Sequence, residues 1–239
     1  MTRLSIGILA LGVLLSSTEV GAADVAAKLG IVKGTVTIAG QPTADVVVSI
    51  EGVPPESFKA QLAAIKAKKA VMDQREQKFL PAILPVLVGT RVAFPNNDKS
   101  WHNVYSKGGA KDFDLGLYPP GKSRDVTFDK PGVARILCNA HPNMEAFVVV
   151  KEHPFFSAAD KRGNYRVDGI PLGKYRVTVW HPELGTTEVG VELVREGQVS
   201  DIDFDLKKRL LCLKTVYNAE KRRSTGILNA RRSKISAGP

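Results

Sequence analysis

Three side chains that bind soft metal ions fall within seven residues of the chain: Cys138, His141 and Met144, with two residues between each pair. Thiolate and thioether sulfurs are soft donors, and together with an imidazole they favour copper. Fully extended, this segment would span about 20 Å. A site for one ion therefore requires the loop to curl, and Pro142 stiffens it. A further ligand has to come from a distant part of the chain.

The best candidate for that ligand is His102. It follows the turn residues 95–98 closely and precedes Cys138 by 36 residues. We expect the remaining ligand to come from the end of another strand. We therefore predict a metal site formed by His102, Cys138, His141 and Met144.

Other interpretations of these residues remain open. Zinc binds Cys and His, but structural zinc sites are normally closed by further Cys, His or carboxylate ligands. A catalytic thiol at Cys138 needs a base and an orienting group, and no third group lies at a helpful spacing. In an oxidising compartment, Cys138 and Cys212 could form a disulfide. Copper is favoured over another metal or no metal.

The N-terminus predicts export. Arg3 precedes an apolar run of twelve residues from Leu4 to Leu15, and small residues follow at 20–22. Such a pattern is typical of a secretory signal peptide, and it is shorter than the about 20 residues that span a bilayer. We expect a periplasmic protein without a transmembrane anchor after signal cleavage.

The net charge of +10 is concentrated at the C-terminus. Ten Lys/Arg and one Glu fall between Lys207 and the end, which leaves +1 for residues 24–206. The high pI therefore says little about the partners of the body, and we expect no specific nucleic-acid partner. The tail has no sustained periodicity and is predicted to be disordered.

Short apolar or alternating segments, separated by Gly, Pro, Asn and Asp turns, recur from residue 30 to residue 206. Their spacing predicts antiparallel β-sandwiches. One helix is predicted after Pro55, with Ser57 as its cap and Phe58, Leu62 and Ile65 at helical spacing. We therefore expect an all-β protein with one short helical linker.

Residues 69–152 resemble a cupredoxin, the Greek-key blue-copper fold of plastocyanin and amicyanin. The segment 96–104 (NNDKSWHNV) is similar to the plastocyanin segment that carries the first histidine, and the Cys-x2-His-x2-Met spacing is that of amicyanin. The resemblance implies one type 1 copper, with His102, Cys138 and His141 in a plane and Met144 as a weak axial ligand. It also implies that Asn103 braces the cysteine loop. Asn139 and the pair Ile136-Leu137 depart from the residues common in the family.

Residues 155–206 resemble a carboxypeptidase regulatory-like (prealbumin-like) β module. The resemblance rests on the segments 160–165 (DKRGNY) and 170–177 (IPLGKYRV). Such modules usually begin with two strands like those at 30–50, which implies that the copper domain is inserted after the second strand. Alternatively, residues 30–50 form a hairpin that extends the cupredoxin. The predicted division is: 1–22 signal peptide, 24–54 first strands of the module, 55–68 helical linker, 69–152 copper domain, 153–206 remainder of the module, 207–239 basic tail.

The resemblance implies a one-electron carrier rather than an enzyme. Electrons would pass through the exposed edge of His141, and Pro142, Leu117 and Tyr118 are candidates for an apolar docking patch around it. The expected partner is a redox protein such as a cytochrome or a dehydrogenase. The alternative is a copper-storage or copper-sensing protein whose regulatory-like module docks a partner.

Overall fold

The structure is a computed structural model that describes residues 28–65 and 69–207. Strands dominate the described residues, which confirms the predicted all-β class. The strands are β1 Leu29–Ile38, β2 Gln41–Pro42, β3 Val47–Glu51, β4 Ala70–Val71, β5 Asp73–Arg75, β6 Lys78–Leu80, β7 Ile83–Leu87, β8 Thr90–Pro95, β9 His102–Ser106, β10 Phe113–Tyr118, β11 Ser123–Phe128, β12 Gly132–Leu137, β13 Glu145–Lys151, β14 Phe156–Ala158, β15 Asn164–Pro171, β16 Gly173–His181, β17 Gly185–Leu193, β18 Val199–Asp201 and β19 Phe204–Leu206. The predicted signal peptide, most of the tail and Cys212 lie outside the described residues.

The first β-sandwich combines the beginning and the end of the described chain. In one sheet β1 pairs with β15 on one side and with β18 and β19 on the other, and β2 also pairs with β1. The second sheet has the order β14-β3-β16-β17. Valines, isoleucines and aromatic rings from both sheets form one core. The strands at 29–51 therefore share both sheets with strands from 156–206.

Gly163 shows how closely the turn at 160–163 approaches β1. Its backbone has a φ of +78°, and a Cβ at this position would lie 2.4 Å from the carbonyl oxygen of Val36. The Val36 N–H donates to the Gly163 carbonyl at 2.8 Å. Only glycine combines a positive φ with this close backbone approach at little cost.

The second sandwich is formed by the chain between these two parts. One sheet has the order β10-β9-β12-β13-β7, and the other has the order β11-β8-β4. Alternating residues of β11 and β12 are buried, as expected for strands with one face on a core. The hairpin β5-β6 lies beside β8. The core of this sandwich is separate from that of the first sandwich.

A third, smaller apolar cluster lies between the two sandwiches. It contains Val47 of the first sandwich and Ile83 and Val149 of the second. The rings of Phe147 and Trp180 meet edge to face, with centroids 5.6 Å apart. The outer face of each sheet is therefore partly buried by the other sandwich.

Polar contacts reinforce this interface. Lys151 Nζ lies 2.5 Å from Glu51 Oε1, and His153 Nε2 lies 3.2 Å from Glu51 Oε2. Hydrogen bonds from His153, Lys151 and Ser49 hold the pKa of the Glu51 carboxyl well below its usual range, although partial burial opposes the shift. Glu51 thus connects β3 to the end of β13 and to the segment after it.

The helical segment differs from the prediction in its start. A 3-10 turn covers Pro55–Ser57, and the α-helix runs from Lys59 to Ala64 with Phe58 at the N-cap position. The Ser57 hydroxyl donates to the Pro54 carbonyl at 2.6 Å, so it does not cap the helix. Among the described residues no helix is long and apolar enough to cross a membrane.

Strand β10 was not predicted from the sequence. Its pairing with β9 is irregular between Asp114 and Leu117, where Gly116 has a φ of +65°. This irregularity interrupts the alternation of buried and exposed residues on which a strand prediction depends. The end of β10 is nevertheless important, because Tyr118 pairs with His102 in the register.

Candidate metal centre

Three of the four predicted ligands meet at one end of the second sandwich. The Nδ1 atoms of His102 and His141 are 3.0 Å apart, and each lies 3.9 Å from Cys138 Sγ. These three atoms all lie within 4.8 Å of one another. The structure therefore brings residues 36 and 39 positions apart in the chain into one cluster.

Strand positions explain why these side chains meet. His102 is the first residue of β9, and Cys138 follows the last residue of β12. These two strands are antiparallel neighbours, with Leu137 opposite Tyr105. The start of β9 and the end of β12 consequently lie at the same end of the sandwich. His141 belongs to the loop that connects β12 to β13, and this loop returns the imidazole to the same point.

Met144, the fourth predicted ligand, is the last residue of that loop. Its N–H donates to the His141 carbonyl at 3.0 Å, which closes the turn, and its side chain is 1% exposed. It packs in the same core as Cys138. The loop thus curls inward, with His102 and Cys138 also almost fully buried and His141 half-buried.

Asp98 controls the orientation of His102. Nε2 of His102 donates to Asp98 Oδ2 at 2.9 Å, and this leaves the Nδ1 lone pair directed at Cys138 and His141. Backbone amides of Gln77 and Lys99 donate to the same carboxylate at 2.7 Å each. These bonds, that of Gln77 above all, lower the pKa of Asp98 to about 2.

The donor set fits a metal ion. With Nε2 of His102 occupied by Asp98, its Nδ1 carries a lone pair, and the facing atom is Nδ1 of His141 at 3.0 Å. At this distance either a proton or a metal ion has to lie between the two nitrogens: a proton on His141 Nδ1 forms a hydrogen bond to His102 Nδ1, and a metal ion would bind both lone pairs. Cys138 adds a sulfur donor at 3.9 Å from both nitrogens. Two imidazoles and a soft sulfur, with a buried methionine in the same core, match copper better than zinc.

Asn103 connects the cysteine loop to β10. The backbone N–H of Asn139 donates to Asn103 Oδ1 at 3.3 Å, and Asn103 Nδ2 donates to Asp114 Oδ1 at 2.7 Å. Asn103 itself is 5% exposed. The Asn103 side chain therefore joins Asn139, the residue after Cys138, to Asp114 on β10. This restricts the position of the thiol.

Tyr118 does not contribute to an exposed patch as expected, because its side chain is 1% exposed. Its pairing with the inward-facing His102 directs the ring into the core. Gln74 Nε2 donates to the Tyr118 hydroxyl at 2.6 Å, and this hydroxyl donates to the Phe94 carbonyl at 2.9 Å. Burial raises the pKa of Tyr118 to about 12, so it stays protonated. Leu117, in contrast, is exposed.

The supporting residues Asp98 and Gln74 were not predicted. Asp98 lies four positions before His102 in a turn, a spacing that signals a contact only when the loop conformation is known. Asn96 creates that conformation, since its Nδ2 donates to the carbonyls of Ser100 and Tyr118 and its Oδ1 accepts from the Asp98 N–H. The loop is thus organised by a buried amide whose partners are distributed over two loops.

No protein-family model matches the sequence, and no curated protein matches it. Among solved structures, a purple cupredoxin from Nitrosopumilus maritimus is 24% identical over 35% of this chain and 100% of that chain, with a TM-score of 0.32. A reduced amicyanin mutant is 26% identical over 44% of this chain and 98% of that chain, with a TM-score of 0.34. A copper-containing nitrite reductase from Thermus scotoductus is 25% identical over 37% of this chain and 23% of that chain, with a TM-score of 0.35.

All three alignments cover less than half of this chain and have TM-scores below 0.5. The functional conclusion therefore depends on the side chains of the metal centre themselves. The resemblance of residues 155–206 to a regulatory-like module stays a prediction.

Proposed function

We propose that this protein is an exported type 1 copper protein that carries single electrons between redox partners in the periplasm. His102, Cys138 and His141 would hold the ion, with Met144 as a weaker ligand. A bound copper ion would supply one-electron chemistry by alternating between Cu(II) and Cu(I). The observation that carries the proposal is the convergence of two imidazole Nδ1 atoms on one buried thiol, within 4.8 Å.

The way the ligands are held supports a carrier. Asp98 fixes the ring of His102, and Asn103 restrains the segment after Cys138. Both ligands are buried, so little water has to rearrange around them. Ligands that keep their positions minimise the reorganisation that accompanies a change in charge. Preorganised donors of this kind favour rapid electron exchange.

The exposure of the ligands supports transfer at the protein surface. His102 is fully buried and Cys138 is 4% exposed, whereas His141 is half-buried. The His141 ring is therefore the ligand within reach of a partner. A redox protein such as a cytochrome or a dehydrogenase would contact this edge, and the chain would need no catalytic group of its own.

The first sandwich has a separate role in this proposal. Strands β1 and β3 pair with strands from 156–206, while residues 70–151 form the copper-binding sandwich. This connectivity supports an insertion of the copper domain, residues 69–152, into a regulatory-like β module, with residues 55–68 as the linker. The module would then hold the copper domain through the Phe147–Trp180 and Glu51–Lys151 contacts.

Voltammetry of the copper-loaded protein distinguishes a carrier from a storage protein. We expect a reversible one-electron wave, with copper retained when the reduced protein is challenged with a Cu(I) chelator. Rapid loss of Cu(I) to the chelator on reduction would favour storage and contradict the carrier. The Asn143→Ala variant, which changes an exposed residue of the same loop, serves as a control that should behave like the wild type.

A further inference from the structure

We propose that the surface around His141 is a docking face for an acidic protein, which is an inference that rests on the proposed electron-carrier function. The metal-end face is defined by the exposed residues Trp101, Leu117, Pro142, Lys99, Lys122 and Arg124. It combines an apolar centre with a cationic rim.

Hydrogen bonds and strand register place the parts of this face at one end of the sandwich. The loop at 96–101 is joined to the loop at 119–122 by the bond from Gly121 N to the Asn96 carbonyl, 2.7 Å long. Leu117 lies opposite Asn103 in the register, one residue from His102. The loop at 138–144 meets the first loop where His141 meets His102. All three loops therefore border the metal centre.

The apolar residues at this end are unusually exposed. Trp101 and Leu117 are each 54% exposed, and Pro142 is also exposed. Trp101 directly precedes the ligand His102, and Pro142 directly follows the ligand His141. Exposed tryptophans are enriched among residues that dominate binding energies at protein interfaces. An apolar group of this kind beside a half-buried ligand suits a protein partner that excludes water from the contact.

The three loops that border the metal centre carry an excess of positive charge, although the exposed carboxylates of Glu76, beside Lys99, and of Asp114, on β10, lie near them. Residues 96–101, 119–124 and 138–144 contain three cations, Lys99, Lys122 and Arg124, and a single carboxylate, Asp98. The carboxylate of Asp98 is turned inward, where it accepts hydrogen bonds from His102 and from two backbone amides. The guanidinium of Arg124 lies 5.1 Å from the centre of the Tyr118 ring, so its charge remains at the same end.

This local charge contrasts with the rest of the body, where many lysines are neutralised. Lys69, Lys111 and Lys151 each form an ion pair with a carboxylate. Residues 24–206 carry a net charge of only +1, so a rim of three cations is a local feature. Charges of this kind steer an oppositely charged partner and orient it before contact. Three cations are few for a nucleic acid, because phosphate-dependent binding typically uses roughly six to ten contacts.

Paramagnetic broadening of NMR signals tests the face without any copper. The full chain, loaded with Zn²⁺, is titrated with hexacyanochromate(III), a redox-inert trianion. We expect broadening of backbone amides at Lys99, Trp101, Lys122 and the loop at 138–144, and no comparable broadening by the cation tris(ethylenediamine)chromium(III). The double variant Lys99→Glu/Lys122→Glu should lose this broadening. The control Lys107→Glu/Lys130→Glu, at the opposite end of the sandwich, should retain it.

Electron exchange of the copper-loaded protein gives a second readout. At low ionic strength, ferricyanide should oxidise the Cu(I) form of the Lys99→Glu/Lys122→Glu variant on the order of 10-fold more slowly than that of the wild type. The variant should react faster with the cation tris(phenanthroline)cobalt(III). Rates that change by less than about twofold, or by as much as in the control variant, would overturn the acidic-partner proposal even if copper cycles normally. Broadening confined to the basic tail would overturn it as well. A protein that broadens as expected but takes up no copper would instead contradict the proposed function.

Discussion

The Asp98 carboxylate accepts a hydrogen bond from Nε2 of His102 at 2.9 Å, while Nδ1 of the same ring faces His141. One side chain from a turn thus determines which nitrogen of a buried histidine is available to a metal ion. The carboxylate is in turn held by amides of the hairpin turn and of its own loop. The candidate metal centre therefore depends on residues that would not touch the ion.

The first prediction concerns this carboxylate. Asp98→Asn should reduce copper affinity by about 10–100-fold, because the amide no longer fixes the tautomer and orientation of His102 as the carboxylate does. Competition with a chelator of known affinity measures the change. Asp160→Asn, which alters a carboxylate in a turn of the other sandwich, is the matched control. An affinity within twofold of the wild type would mean that Asp98 does not position His102.

The second prediction concerns the bracing of the cysteine loop. Asn103→Ala should lower the free energy of unfolding by about 1–3 kcal/mol, because it removes two hydrogen bonds and leaves a buried partner unsatisfied. Urea unfolding of the metal-free protein measures this loss. Asn143→Ala, at an exposed site of the same loop, should stay within about 0.5 kcal/mol of the wild type. Equal effects of the two changes would contradict the bracing role.

The third prediction concerns Glu51 at the interface between the sandwiches. Because its folded-state pKa is depressed below the usual 4.5, the ionised carboxylate stabilises the fold above that pH. The contribution is lost as the pH falls below about 4.5 towards the folded-state value. Unfolding of the wild type and of Glu51→Gln should therefore differ clearly at pH 7 and converge at acidic pH.

Glu196→Gln, which changes an exposed carboxylate, is the control for this measurement. It should show little difference from the wild type at either pH. A Glu51→Gln difference that stays constant from pH 7 to pH 3 would show that the carboxylate charge does not stabilise the interface.

The fourth prediction concerns the close approach of Gly163 to β1. Gly163→Ala should destabilise the protein by about 3 kcal/mol, because the new Cβ would collide with the Val36 carbonyl oxygen in addition to straining the backbone. Gly197→Ala has a similar positive φ but open space around the Cβ, so it should cost only about 1 kcal/mol. Thermal unfolding of both variants compares them. Equal losses would argue that β1 does not approach the turn at 160–163 as closely as described.

The sequence predicted the all-β class, and it singled out His102, Cys138 and His141, which the structure brings into one cluster. The loop at 138–144 has unusual donor chemistry at short spacing, and His102 follows a turn. The role of Asp98 was not predictable, because it depends on a loop conformation set by Asn96. The exposure of Tyr118 was predicted wrongly, since only the register of β10 against β9 shows that the ring points inward.

The contacts between the sandwiches were not predictable either. Glu51 and His153 are 102 residues apart, and their contact exists only where the two sandwiches pack together. Local sequence patterns carry information about strands and turns, but little about which outer faces meet. The small apolar cluster around Val47 and Val149 has the same origin.

The most direct test of the copper assignment is the visible absorption spectrum of the Cu(II)-loaded protein, compared with that of Cys138→Ser. The wild type should bind one copper ion and show an intense band from charge transfer between the cysteine thiolate and Cu(II). The band should disappear in the variant, because a serine hydroxyl cannot replace the sulfur donor. A wild-type protein that binds no copper, or binds it without this band, would contradict a blue copper centre at His102, Cys138 and His141.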